Sequence, residues 1–506
     1  MKRIQILATS DIHAYIMPDD YTNNENTNLG LASVSSVINL LKDKNTILID
    51  NGDFIQGSPL AIYLNKYYPE RILPLTRILN KMNYDYFNLG NHDFNNGKET
   101  LLQFVNNTKA KCLTSNVNID GENISPKYHI HEFENGMKIA IFGIVTDFVN
   151  IFEQKENLID IKISDTFISA QKSVNSILAN ENVDYIIGVY HGGFEKDFDS
   201  LKPLEKLTGE NVGIKILQEI DGIDVLITGH QHRSIARKFK GTIITQTNCN
   251  GKELAKIELF KDKKLNKCSL IPITNDPNVE IVDLISDVES ELQEYLETDL
   301  TELDKDLIIT DNFKSRLYKH ELVSFINQIQ MSLTGADISG VALFNNVPGY
   351  NKNVKVRDVI ANYPYSNTLK LIEITGEKLK EYLEENARYF DIKGSEIVVS
   401  EEYINPKIKH YNYDMVDGIE YTIKVSNPKG NRIIEMKYHG KDIKNNDKFK
   451  LVVSNYRYTG VGGFDMIADC PLLKTFDKDM TEVVIDYLSN IDKLSIKHCE
   501  NINVII

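Results

Sequence analysis

Five short polar clusters, each following an apolar run, hold the side chains best suited to chemistry: Asp11-Ile12-His13, Gly52-Asp53, Gly90-Asn91-His92-Asp93, Tyr190-His191-Gly192 and Gly229-His230-Gln231-His232. Carboxylate, imidazole and amide oxygen are ligands for hard-to-borderline divalent cations. A mixed oxygen and nitrogen set suits Mn²⁺, Zn²⁺ or Fe, whereas an all-oxygen set would suit Mg²⁺ or Ca²⁺. Asp11 and His13 stand two apart in a turn, so one backbone segment aims both at the same ion. The two oxygens of Asp53 can bridge two ions, and Gly52 beside it permits close approach of backbone and metal. In the third cluster Asn91 offers an amide oxygen and His92 is left to face a substrate. Asp93 is expected to accept from the His92 ring and fix its orientation. His230 and His232 flank one residue, a spacing suited to neighbouring ions. Each pattern alone is common on protein surfaces; their presence together in one chain points to a pair of ions.

The elements that must position these clusters are legible as hydrophobic runs. Residues 4–8, 46–49, 86–89, 138–145, 184–189 and 224–228 read as strands. Residues 31–44 and 75–82 carry helix periodicity between them. Such alternation predicts an α/β layered domain, in which ligands gather at the carboxyl ends of the strands. The texture then changes. Residues 283–300 read as an acidic connector helix with Leu284, Val288, Leu292 and Leu296 spaced four apart. We expect a first domain over residues 1–275, a connector over 276–307 and a second domain over 308–506. The second domain's histidines, such as His320, His410, His439 and His498, stand singly.

Bulk properties narrow the partners. The 506 residues exceed one ordinary core. A net charge of −15 argues against a nucleic-acid polymer as ligand. Small nucleotides remain compatible, because bound metals supply positive charge that the side-chain count omits. The five cysteines are widely separated with no CxxC pair, as expected of free thiols in a reducing compartment. The N-terminal residues enter a strand directly, without the apolar core of a signal peptide, and no stretch approaches a membrane span. The expectation is a cytoplasmic protein with no membrane partner.

The order D-x-H, G-D, G-N-H-D, H, G-H-x-H resembles the calcineurin-like metallophosphoesterase superfamily. The segment Gly52-Asp53-Phe54-Ile55-Gln56-Gly57-Ser58-Pro59-Leu60 resembles its nucleotidase branch. In the second half, the stretches beginning Tyr411-Asn412-Tyr413-Asp414 and Ser454-Asn455-Tyr456-Arg457-Tyr458 look like the substrate domain of bacterial 2′,3′-cyclic-nucleotide 2′-phosphodiesterase/3′-nucleotidases. The resemblance implies a β-sandwich flanked by helices and a C-terminal α+β nucleotidase substrate domain. It implies one metal held by Asp11, His13, Asp53 and His232, and another by Asp53, Asn91, His191 and His230. His92 and Asp93 would form the catalytic dyad. The base would stack between Tyr413, or its neighbour Tyr411, and Tyr456, with Asn345, Asn346 and Arg457 as further contacts. The stretch Asn345-Asn346-Val347-Pro348-Gly349-Tyr350 lacks the arginine that related 5′-nucleotidases use on substrate.

These readings converge on metal-dependent hydrolysis of nucleotide phosphate esters, with 2′,3′-cyclic nucleotides and 3′-nucleotides favoured. A 5′-nucleotidase or nucleotide-sugar hydrolase is the alternative within the class. A non-catalytic nucleotide-binding or sensory module is the alternative outside it, and the complete ligand set speaks against that one.

Overall fold

The computed structural model describes residues 2–21, 27, 29–204, 207–363, 367–405, 407–476 and 478–506. The chain divides into two compact units, Met1–Leu292 and Gln293–Ile506.

In the first unit two six-stranded sheets carry the site. Arg3–Thr9, Thr46–Asp50, Tyr86–Phe87 and Lys111–Cys112 run parallel, extended on the Arg3–Thr9 side by the antiparallel strands Glu253–Phe260 and Lys267–Pro272. In the second sheet Lys138–Val145, Tyr185–His191, Val225–Thr228 and Thr242–Gln246 run parallel. Period-two alternation explains how the sheets pack. Ile4, Ile6, Ile47 and Ile49 of one sheet share a core with Ile139, Ile141, Ile187 and Val189 of the other. The opposite faces of the second sheet's strands, Ala140, Phe142, Ile144 and Ile186, pack with Ala170, Val174 and Ile177 of helix Thr166–Asn180. Because neighbouring strands are parallel, their carboxyl ends line one edge of each sheet, and the polar clusters emerge there.

Several boundaries differ from expectation. The strand expected over residues 86–89 ends at Phe87, because the Leu89 amide donates to Thr114 Oγ1 instead of a neighbouring strand. The connector helix runs Val279–Leu296 rather than 283–300, and Asp299–Leu303 is a strand paired with Asn353–Lys355. The helix buries Ile281, Ile285, Val288, Leu292 and Leu296, leaving Leu284 39% exposed. The buried stripe thus runs through Ile281 and Ile285, not Leu284. The division between the units falls inside this helix.

The second unit is built on a five-stranded sheet in the order Asp414–Asp417, Ile338–Ala342, Lys448–Ser454, Leu369–Thr375, Leu472–Phe476. Helices Glu321–Thr334 and Gly376–Ala387 bury apolar faces in a core that includes Leu322, Ile326, Leu379 and Leu383. Among the described residues no helix is long and apolar enough to cross a membrane.

Candidate metal centre

The turns that follow the strands are tightly cross-tied. Asp11 N donates to Gly52 O, and His13 N donates to Asp53 O. Glycines make this approach possible: a Cβ at Gly90 would lie 2.2 Å from Asp53 Oδ1, and one at Gly229 would lie 2.2 Å from Ser10 Oγ. Asp11, His13, Asp53, His230 and His232 all adopt positive φ, between 54° and 69°. That left-handed region costs a non-glycine residue of order 1–3 kcal/mol, and such residues cluster at ligand clamps and active sites.

The side chains converge. Donor atoms of Asp11, His13 and His232 lie within 4.8 Å of one another, as do those of Asp11, Asp53 and His191. Asn91 Oδ1 lies 3.2 Å from His191 Nε2 and 2.7 Å from His230 Nδ1. All seven residues named as ligands therefore meet in one place, with Asp11 common to both groupings.

Three of the four imidazoles, those of His13, His191 and His230, are oriented through their other nitrogen, as metal-ligating histidines commonly are. His13 Nδ1 faces Gln56 O at 2.9 Å and His191 Nδ1 faces Asn51 O at 2.6 Å. A carbonyl can only accept, so both rings carry their proton on Nδ1 and turn Nε2 inward. His13 Nε2 then meets His232 Nε2 at 3.2 Å, two nitrogens aimed at one point. His230 is held in the opposite sense: Nε2 contacts Glu210 Oε1 at 2.8 Å, leaving Nδ1 to face Asn91. Glu210 escaped the sequence reading because it stands outside every cluster, 20 residues from its partner.

The electrostatics match a site built to hold cations. Burial opposes ionisation of Asp53, yet His191 and His92 hold its carboxyl well below the usual range. Burial pulls His191 down, but the Asp53 and Asp11 carboxylates outweigh it and raise it to about 9. His13, beside two other histidines and buried, is lowered to about 4. The residues thus fit a divalent pair: oxygen and nitrogen donors gathered at contact distance, and carboxylates kept ionised in a dry site.

The expected pairing of His92 with Asp93 is corrected by the geometry. Asn91–Phe94 forms a 3₁₀ turn, in which side chains three apart eclipse. Asp93 points inward and accepts the backbone N–H groups of Asp53, Phe54, Ile55 and Gly90 at 2.8–3.0 Å. Burial and the charge of Asp53 push it up to about 6, while these hydrogen bonds oppose the rise. Asp93 ties the second and third clusters together. The His92 ring is held by Asn95, three residues on, with Nδ1 2.8 Å from Asn95 Oδ1. The ring of His92 lies 5.5 Å from that of His13, edge to face.

In the second unit the candidate substrate residues separate. Tyr413 is fully buried, stacks on Tyr389 at 4.7 Å and belongs to the core. It cannot present a face to a base. Its neighbour Tyr411 is half-buried and meets Tyr456, also half-buried, at 6.3 Å edge to face. Arg457 is 2% exposed, forms a two-pronged pair with Asp414 at 2.7 and 2.9 Å, and donates to Tyr411 O. It positions the Tyr411 loop, and its guanidinium is committed there. Asn345 accepts from His410 N and donates to Ile408 O, bracing the same loop from its other side. Asn346 is exposed.

The calcineurin-like phosphoesterase family matches residues 4–234, and the 5′-nucleotidase C-terminal domain matches residues 301–469. The trifunctional nucleotide phosphoesterase protein of Bacillus subtilis is 27% identical over 96% of this chain, which spans 38% of that protein's length. The 2′,3′-cyclic-nucleotide 2′-phosphodiesterase/3′-nucleotidase of Haemophilus influenzae is 24% identical over 96% of this chain and 84% of its own length. A crystal structure of a candidate 5′-nucleotidase from Staphylococcus aureus, in complex with α-ketoglutarate, superposes with a TM-score of 0.94. It is 33% identical, with 100% of both chains covered.

Proposed function

Because the chain belongs to the calcineurin-like phosphoesterases that carry a 5′-nucleotidase C-terminal domain, we propose that it hydrolyses phosphate esters of nucleotides with two divalent ions, favouring 2′,3′-cyclic nucleotides and 3′-nucleotides. The observation that carries this is the convergence of Asp11, His13 and His232, and of Asp11, Asp53 and His191, into two adjoining groups, in each of which the donor atoms lie within 4.8 Å of one another. Asp11, His13, Asp53 and His232 would hold one ion, and Asp53, Asn91, His191 and His230 the other. When bound, such a pair supplies Lewis acidity toward the phosphoryl oxygens and lowers the pKa of the attacking water.

The chain's own groups do the rest. His92, held at Nδ1 by Asn95, presents Nε2 to the leaving oxygen and donates its proton there, a role worth about 10²–10⁴-fold for a positioned acid. Tyr411 and Tyr456 offer faces to the base, and stacking on an aromatic ring contributes about 1–3 kcal/mol per base. The oxygen and nitrogen donor set supports Mn²⁺, Zn²⁺ or Fe as the native metal. Five free thiols support a reducing, cytoplasmic location.

A second reading, 5′-nucleotidase activity, is favoured by the 33% identity to the Staphylococcus aureus protein. Hydrolysis of 2′,3′-cAMP, 3′-AMP and 5′-AMP by the purified protein with Mn²⁺ separates the two. Turnover of the first pair in excess of 5′-AMP is expected, and the reverse order would overturn the favoured substrate.

A further inference from the structure

The hydrogen bonds behind His92 run one residue further than the catalytic reading needs. Asn95 Nδ2 donates to Glu153 Oε2. Glu153 is itself fixed: Oε1 accepts from Gln154 N at 2.7 Å and from Asn157 Nδ2 at 2.8 Å, and Asn157 Nδ2 also donates to Asn95 O at 2.8 Å. An asparagine amide has a donor end and an acceptor end, and nothing intrinsic decides which faces a given neighbour. A carboxylate accepts only. Glu153 therefore requires the NH₂ of Asn95 to face it, which turns Oδ1 toward His92. An oxygen there accepts from Nδ1–H, so the ring keeps its proton on Nδ1 and the proton that moves is the one on Nε2.

We infer that Glu153 is a positioning residue that sets the tautomer of His92 by fixing the orientation of the Asn95 amide. The inference rests on the assignment of His92 as proton donor to the leaving oxygen, and it adds a component from a separate segment of the fold. Without Glu153, Asn95 can rotate its amide and offer NH₂ to Nδ1. That stabilises the Nε2–H tautomer and gives a ring that, after losing the Nε2 proton, has none on Nδ1.

Glu153→Ala in the metal-loaded protein should lower kcat on 3′-AMP by about 10–100-fold, the usual cost of removing a group that orients an active-site imidazole. KM and metal content should stay near wild type. Hydrolysis of bis(4-nitrophenyl) phosphate, whose leaving group needs no proton, should change less than about threefold by the same logic of acid catalysis. Asn95→Asp combined with Glu153→Ala should recover most of the lost kcat, because a carboxylate at position 95 accepts from Nδ1 without instruction. Nitrogen-15 spectra of histidine-labelled protein, recorded where the ring is neutral, should show His92 as Nδ1–H in the wild type and as a mixture in Glu153→Ala. Equal losses on both substrates, or an unchanged tautomer with unchanged kcat, would overturn the inference. A wild-type protein inactive on every phosphate ester would instead defeat the functional reading, and the spectra would still decide the role of Glu153.

Discussion

The two units hold their functional candidates in opposite ways. In the first unit the seven candidate ligands sit at or just beyond strand ends, Asp11, His13, Asp53, His230 and His232 with backbones in the left-handed region, and the other nitrogens of His13, His191 and His230 are held by a carbonyl or carboxylate. In the second, the candidates are aromatic and amide side chains in loops, and most of them brace the loop itself: Tyr413 in the core, Arg457 on Asp414, Asn345 on the His410 backbone. Metal chemistry needs particular atoms at particular places, so it leaves a pattern in residue type and spacing. Stacking needs only a ring face, and with 25 tyrosines in the chain the pattern is ambiguous until burial is known.

Substitutions should separate the units by the kind of damage they cause. Asp53→Asn should abolish measurable phosphoesterase activity, since its carboxylate lies against His191 and the His92 backbone at the centre of the cluster; near-normal turnover would remove Asp53 from the machinery. His92→Ala should lower turnover by about 10²–10⁴-fold with metal content unchanged, and loss of an ion in elemental analysis would reassign it as a ligand. Tyr413→Ala should act on stability, destabilising by about 3–5 kcal/mol as large core aromatics do, in denaturant melts. Tyr456→Ala should leave stability nearly intact. Its expected cost on 3′-AMP is about 1–3 kcal/mol, with bis(4-nitrophenyl) phosphate spared. Equal loss on both substrates would make Tyr456 a structural aromatic like Tyr413.

A further expected effect is on the pH dependence of metal affinity. His191 is raised to about 9 by Asp53 and Asp11 against the pull of burial, so below that pH the metal-free protein holds a proton that coordination must displace. Affinity for Mn²⁺ should therefore rise with pH from 7 to 9, by at most about tenfold per unit for this proton, and keep rising toward pH 10, because His232, against the pull of burial, is raised to about 10 by Cys249 and Asp11. Calorimetric titration at several pH values checks the sign, and affinity that falls with rising pH would contradict it.

The six strand runs of the first unit and the polar residues that converge beyond them were legible because hydrophobic alternation and donor chemistry are both written in residue type; the order of the strands within the sheets was not. The partner of His92 was not. Asp93 is adjacent in sequence and chemically suited, but a 3₁₀ turn eclipses residues three apart, so Asn95 shares the face of His92 while Asp93 turns inward to four amides. Glu210 and Glu153 were illegible for another reason: each reaches its partner from a segment that carries no motif, and only the folded chain brings them together. The connector helix was misplaced by four residues at each end because its apolar period was started at the exposed Leu284, missing the buried Ile281 and Ile285, and was carried into residues that form the strand Asp299–Leu303.

We propose that this cluster is a two-ion hydrolytic site. Its most direct test is to strip the protein with chelator, return Mn²⁺ stepwise, and follow ions per chain by elemental analysis alongside hydrolysis of 3′-AMP and 2′,3′-cAMP. Stripped protein should show no turnover, two ions should bind per chain, and activity should return with occupancy and fail to return in Asp53→Asn. Full activity in protein shown to hold no divalent metal would contradict it.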